Sequence, residues 1–349
     1  MPATWTRRSV IRVAAFAGAA LPLGKARAQA KEGRVIYPVA VAIYQAQFVA
    51  DRLGFFKEAG LDCKLIQGGS GVKTRELVAS GQGDIGIGDI THPMQLANRG
   101  RKGRVLMPVD TRNNGVVFII RKDLGDEGIS SLQAFAAWKR PDGRKPIIGV
   151  SSLGGTNHVW ASYYMELLGL DQAVTWVGVG NVDTMLGSLK SKQIDVLVNS
   201  PALLRDSVEH GWGKLLFNGS SEENWNKHIG GKVPATSHFT VQATIDKDQP
   251  KMQAYVTGLW RATQWIKSHS PEEILAEIEP YVGSTSKESN LFEIDLMKEI
   301  TDYDGVIDPA AFERGAKVWF REMTGIRPMT IAEIVAPEYI DAARKAYPA

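Results

Sequence analysis

Hydrophobic and polar positions change period repeatedly between Leu53 and Asp89, and the changes mark out a compact α/β unit. Gln45 to Gly54 has helical spacing, with Phe48, Asp51/Arg52 and Phe55/Phe56 separating apolar from polar faces, and Gly54 and Gly60 punctuate its end. Asp62 to Ile66 is a short buried strand, Val72 to Ser80 a helix opened by the glycine turn Gly68-Gly69-Ser70-Gly71, and Ile85 to Gly88 another strand. Upstream, Arg34 to Ile43 reads as the first strand despite Pro38; downstream, a helix starts at Pro93 to Asn98 and Val105 to Val109 is a strand. This βαβα alternation with short connections predicts a parallel sheet covered by helices. Ligands of such sheets bind beyond the strand carboxyl ends, where helix N-termini offer unpaired N–H groups and a dipole that favours negative charge.

The pattern restarts near residue 118. Val116 to Ile120 is a strand, Ser130 to Trp138 a helix, and Pro141-Asp142-Gly143 a turn. Ile147 to Val150 leads into Ser151-Ser152-Leu153-Gly154-Gly155-Thr156-Asn157 and a helix to Leu168. Val174 to Val177, Ile194 to Val198 and Leu215 to Phe217 are strands, with a helix over Val182 to Lys190. Phe239 to Ile245 reads as a strand returning to the first lobe, and the remainder is helical. Met252, Val256, Leu259, Thr263 and Ile266 trace one apolar face; Pro271 to Val282, Leu291 to Ile300, Pro309 to Met323 and Pro337 to Tyr347 supply further helices. The expected division is residues 31–117 plus 244–349 as lobe 1 and 118–243 as lobe 2, with crossovers near 116–121 and 238–245.

Composition alters the picture at the amino end. Thr6-Arg7-Arg8-Ser9-Val10-Ile11-Arg12 is basic with a twin arginine, Val13 to Leu23 is weakly apolar, and Ala26-Arg27-Ala28 or Ala28-Gln29-Ala30 supplies a small-x-small cleavage pattern. Residues 1–30 therefore resemble a twin-arginine (Tat) signal peptide, which implies a periplasmic mature protein. The apolar run is too short to span a bilayer, and no cysteine at the cleavage region supports a lipid anchor. Those residues hold five basic side chains and no acid, so Lys plus Arg falls from 41 to 36 against 38 Asp plus Glu, and the net charge moves from +3 to −2. A nearly neutral surface offers no footprint for nucleic acid. Cys63, the one cysteine, excludes an intramolecular disulfide and reads as a strand residue facing the core.

Several motifs together resemble the periplasmic substrate-binding proteins of ABC importers, in the group of nitrate, taurine, alkanesulfonate and thiamine-pyrimidine binders. They are Leu53-Gly54-Phe55-Phe56-Lys57-Glu58-Ala59-Gly60-Leu61, Gly68-Gly69-Ser70-Gly71, Gly81-Gln82-Gly83-Asp84-Ile85-Gly86, Ile194-Asp195-Val196 with Pro201, and Ala243-Thr244-Ile245-Asp246-Lys247 with Pro250. The resemblance implies a type II periplasmic-binding-protein fold: two α/β lobes joined by two crossing strands, a solute held in the cleft, hinge closure, and delivery to an inner-membrane permease. It implies a monomer that needs no cofactor.

Strand ends and helix starts nominate the cleft residues. In the first lobe these are Tyr44, Gln45, Gly69, Ser70, Gly71, Asp89, Thr91 and His92; in the second, Ser151, Gly154, Gly155, Thr156, Asn157, Trp160, Asn181, Asn199 and Ser200. Ser70, Thr156 and Asn181 serve equally as helix N-caps, and Tyr44 and Trp160 equally as core aromatics. Asp89 and His92 are the sharper pair: an acid here disfavours a bare inorganic anion and favours a donor-bearing or larger organic solute. Arg112 either offsets Asp89 or is a solvated loop residue.

Enzymatic readings have little support. The histidines are scattered, and no HExxH, CxxC or G-x-S-x-G is present, so neither a metal site nor a catalytic residue is expected. Other classes compatible with the sequence are a partner that presents solute to a membrane sensor and a Tat-exported enzyme.

Overall fold

The computed structural model describes residues 30–282 and 286–348. The proposed export signal lies outside the described residues. Ten strands form two five-stranded sheets: β1 Lys31–Tyr37, β2 Leu61–Gln67, β3 Ile85–Asp89, β4 Gly103–Pro108, β5 Val117–Arg121, β6 Ile147–Val150, β7 Thr175–Gly178, β8 Val196–Asn199, β9 Gly213–Asn218 and β10 Thr236–Val241. The strand orders are β2-β1-β3-β10-β4 and β7-β6-β8-β5-β9.

Neither sheet is purely parallel, contrary to the βαβα reading. β10 runs antiparallel to β3 and β4, and β5 antiparallel to β8 and β9. In each case the reversed strand is the first one laid down after the chain arrives from the other sheet. Strand direction depends on where the chain comes from, which local periodicity does not encode.

The crossings themselves are residues 109–116 and 219–235, earlier than expected. They lie side by side. The Asp110 carboxylate accepts from the Ala235 and Thr236 N–H groups at 2.6 and 3.2 Å, and the Val233 N–H donates to the Thr111 carbonyl at 2.9 Å. β10 therefore belongs to the first sheet, paired through His238↔Ile87 and Phe239↔Gly86, although a lobe boundary at residue 243 would assign it to the second. Its end also differs from the expected strand over Phe239 to Ile245. After Val241 the chain turns helical over Gln242–Lys247, helped by a Gln242–Asp246 side-chain bond of 2.9 Å across one turn.

The first strand stops at Tyr37 because Pro38 has no N–H to contribute to a ladder, and a 3-10 turn at Ala42–Tyr44 leads into the helix Gln45–Arg52. Gly54 and Gly60 sit at φ of 74° and 91°, where any side chain is strained. Two aspartates from the sequence motifs tie together interior strands of the two sheets in similar fashion. Asp84 accepts from the Arg34 N–H at 2.8 Å and from its guanidinium, tying β3 to β1. Asp195, 0% exposed, binds Arg121 at 3.0 Å, Arg140 at 2.8 Å and the Ile147 N–H at 2.9 Å. Ionic groups so buried hold their geometry because breaking one partner strands a charge.

The first core joins Val35, Phe48, Phe56 and Ile87 to the long helix Gln249–Ser268 and to Ile294, Met297 and Tyr339. Cys63 packs against it, half-buried, with its thiol pushed up in pKa by burial. The second core surrounds Trp160, Tyr164 and Trp225. It also takes in Phe312, Val318 and Trp319 from the helix Pro309–Trp319, together with Ile90, Met94 and Val105 from the first lobe's side. Part of the segment after residue 244 therefore packs across both lobes instead of completing the first. Among the described residues no helix is long and apolar enough to cross a membrane.

Candidate functional site

A cleft of about 920 Å³ lies between the carboxyl ends of the two sheets. One wall is built from Tyr44, the turn into the helix Gly71–Ala79, and the helix Thr91–Asn98; the other is the loop Ser151–Asn157, which leaves β6 and opens the helix Thr156–Leu167.

Helix starts dominate both walls, and their hydrogen bonds differ. Ser70 caps its helix by accepting from the Lys73 N–H at 3.2 Å, which leaves the Gly71 and Val72 N–H groups without an acceptor among the described residues. Gly155 occupies the cap position of the helix Thr156–Leu167 and has no side chain to offer, so the Thr156 and Asn157 N–H groups are equally unclaimed. The third helix start is already occupied: Asp89 accepts from the Thr91 N–H at 2.7 Å and from the Thr91 hydroxyl. Asp89 thus orders its own helix as well as lining the cleft.

His92 is 7% exposed and lies against the backbone of two glycines. A Cβ on Gly71 would meet its Cε1 at 3.0 Å, and one on Gly88 its Nδ1 at 2.9 Å, so both positions need glycine for close approach. Burial lowers the ring's pKa to about 4 against the opposing pull of Asp89, and Arg75 lowers it further. His92 is therefore a neutral imidazole at physiological pH, its Nδ1 unpartnered. Burial first, then Asp110, Asp89 and Glu293, raise the Tyr44 hydroxyl, which stays protonated.

Two guanidinium groups line the same wall. Arg75, half-buried, stands one turn into its helix on the face of Gly71, and long helical side chains lean toward the N-terminus. Arg99, exposed, follows the helix Thr91–Asn98. Neither has an ion pair or side-chain hydrogen bond among the described residues, and burial followed by repulsion from Arg99 lowers the pKa of Arg75. Arginine nonetheless remains cationic.

A strap closes one flank. Arg321 donates to the Val159 carbonyl at 3.0 Å and the Ser162 hydroxyl at 3.2 Å and pairs with Glu166, fixing one end to the second lobe. Asn98 donates to the Gly325 carbonyl at 2.8 Å and accepts from the Arg327 N–H at 3.3 Å, fixing the other end to the first. Thr324, Gly325 and Ile326 between these ties line the cleft.

Of the residues nominated from sequence, the structure gathers Tyr44, Ser70, Gly71, Asp89, Thr91, His92, Ser151, Gly154, Gly155, Thr156 and Asn157 around this space. The others lie elsewhere. Gln45 is 2% exposed and faces the interior beside Met107, His238 and Thr263. Trp160, 1% exposed, packs against Trp225 with ring centroids 4.8 Å apart and planes tilted by 38°, because residue 160 falls on the core face of its helix. Gly69 supplies a left-handed turn at φ 87° behind Ser70. Asn181 is an exposed N-cap bonded to Thr184. Asn199 and Ser200 are half-buried at a corner whose helix, Pro201–Glu209, reaches the first lobe through Arg205 and the Glu288 carbonyl at 3.2 Å, so this corner faces an inter-lobe contact. Arg112 joins Glu299 and the Ser220 carbonyl and does not line the cleft.

Arg75, Gln95, Asn98 and Arg99 escaped the sequence reading. Arg75 lies four residues beyond Gly71, a spacing that shares a helix face and was the available signal. The strap residues had none, since their position depends on long-range packing.

Two α/β lobes exchanging two strands, with helix N-termini converging on the cleft between them, constitute the type II periplasmic-binding-protein fold. The chain belongs to the NMT1-like family, whose sequence profile matches residues 38–279. Similar solved structures include a Bordetella bronchiseptica RB50 protein at 22% identity and TM-score 0.73, covering 91% of this chain and 98% of that one. The ligand-binding component of an ABC-type import system from Staphylococcus aureus is 12% identical with TM-score 0.69, covering 90% and 99%. The periplasmic nitrate-binding protein NrtA from Synechocystis PCC 6803 is 14% identical with TM-score 0.67, covering 92% and 90%. At these identities the likeness is one of fold.

Proposed function

We propose that this protein is a periplasmic solute-binding component of an ABC importer that captures a small organic anion in the cleft and delivers it to an inner-membrane permease. The observation that carries the reading is the presence on opposite walls of N–H groups, Gly71/Val72 and Thr156/Asn157, that have no acceptor among the described residues, in a cleft also lined by Arg75, which has no ion pair among them. An anion between them completes hydrogen bonds to both lobes only when the cleft closes, so the ligand stabilises the closed state by its differential contacts. The neighbouring crossings 109–116 and 219–235 supply the natural hinge. Asp89 does not oppose this reading, because its carboxylate is engaged by Thr91.

Binding is reversible and without turnover, the protein acts as a monomer, and the twin arginine Arg7-Arg8 directs export. Titration of the mature protein with nitrate, alkanesulfonates, carboxylates and pyrimidines, read by thermal unfolding, tests the reading. An organic anion should raise the midpoint progressively with concentration, as mass action requires. A response to neutral pyrimidines alone would refute the anion assignment, and conversion of the bound compound by the protein alone would refute the non-catalytic one.

A further inference from the structure

The cleft carries more positive charge than one singly charged anion matches. Arg75 and Arg99 both line it without partners among the described residues, whereas Asp89 is its one acidic lining residue. His92 is neutral, as its burial requires. The two unclaimed helix ends each contribute roughly half a unit, so about two positive charges await a ligand.

The two guanidinium groups stand on one wall, close enough for Arg99 to push the Arg75 pKa down. Arg75 lies four residues beyond Gly71 and so shares its helix face, and both line the cleft. Arg99 stands at the opposite end of the helix Thr91–Asn98 from Asp89, a helix spanning about 12 Å. The lining also includes the exposed apolar side chains Val72 and Leu153 and, from the strap, Ile326. A volume of about 920 Å³ is at the upper end of the range for organic ligands and far exceeds an oxyanion.

We propose that the solute is an organic dianion, with one anionic group between the helix starts and Arg75, the second at Arg99, and a carbon body against Val72 and Leu153. This rests on the anion-binding reading above and narrows it to a charge.

The test is calorimetric titration of the mature protein with succinate, glutarate and isophthalate, each beside its monoamide, at low and at high salt. At least one diacid should bind about tenfold or more tightly than its monoamide, a difference of roughly 1.4 kcal/mol, with the ratio shrinking as salt screens the exposed Arg99. In Arg99→Gln, an exposed position, the diacid should lose that advantage over its monoamide. Equal affinity within each pair, or an unchanged preference in Arg99→Gln, overturns the dianion proposal and leaves the solute-binding reading intact. Absence of binding by every diacid and every monoamide, together with no response to monoanionic sulfonates, overturns both.

Discussion

Replacing Arg75 by Gln separates the two things a cleft residue does, because it should weaken binding while leaving stability nearly unchanged. The guanidinium is half-buried, unpartnered among the described residues, and held down in pKa first by burial and then by Arg99. The substitution should leave the stability of the ligand-free protein within about 0.5 kcal/mol of the parent, or slightly above it, since it relieves repulsion from Arg99 and breaks no ion pair or side-chain hydrogen bond among the described residues. Binding behaves differently. A charge-assisted bond between guanidinium and anion contributes about 1.5–3 kcal/mol net, so every anionic ligand should weaken by roughly ten- to 150-fold, monoanions included. Urea unfolding of the apo protein and calorimetric titration provide the two readouts. Unchanged affinity with lowered stability would show that Arg75 is a structural residue and that the anion site has been misplaced.

Three further perturbations probe the supporting structure. Gly88→Ala puts a methyl 2.9 Å from His92 Nδ1 and 3.1 Å from its Cε1, which should cost about 1–3 kcal/mol in urea unfolding; a neutral result would mean the ring is free to move aside. Arg321→Ala removes the strap's hydrogen bonds to Val159 and Ser162 and its exposed ion pair, so stability should fall by about 1–3 kcal/mol and anion affinity should fall with it, whereas unchanged affinity would remove Thr324–Ile326 from the binding wall. Asp110, which ties the two crossings, is 3% exposed, and burial pushes its carboxyl up to about 7 against the hydrogen bonds from Ala235 and Thr236. Its folded pKa exceeds the unfolded value, so the native state retains a proton that the unfolded chain has lost, and stability falls as pH rises from about 4 to 7, with a slope of at most about 1.4 kcal/mol per unit. Asp110→Asn should flatten that slope, leaving what Glu293 and Asp302, also raised by burial, contribute; an identical profile would contradict the assignment.

Much of this architecture is legible locally. The glycines at 54 and 60, the Ser70 and Asn181 caps, and the strand–glycine–helix turns at 67–71 and 150–156 are set by short-range chemistry, and they stand where periodicity placed them. The departures share one origin, the packing of segments distant in sequence. β5 and β10 are reversed because the chain reaches each sheet from the other, and Trp160 faces Trp225 because a second core lies behind its helix. The 321–327 strap is held by Asn98 and Ser162, more than 150 positions away in each case, so no window of the sequence reveals it. The site followed the same division. Helix starts were readable, whereas the two arginines became conspicuous only once their lack of carboxylate partners was visible.

A crystal structure of the mature protein with its tightest-binding anion tests the central claim most directly. The account predicts an anionic group bonded at once to the Gly71 or Val72 N–H, to the Thr156 or Asn157 N–H, and to the Arg75 guanidinium, with the two lobes closed over it. A ligand held by one lobe alone, or bound away from these helix starts, would contradict it.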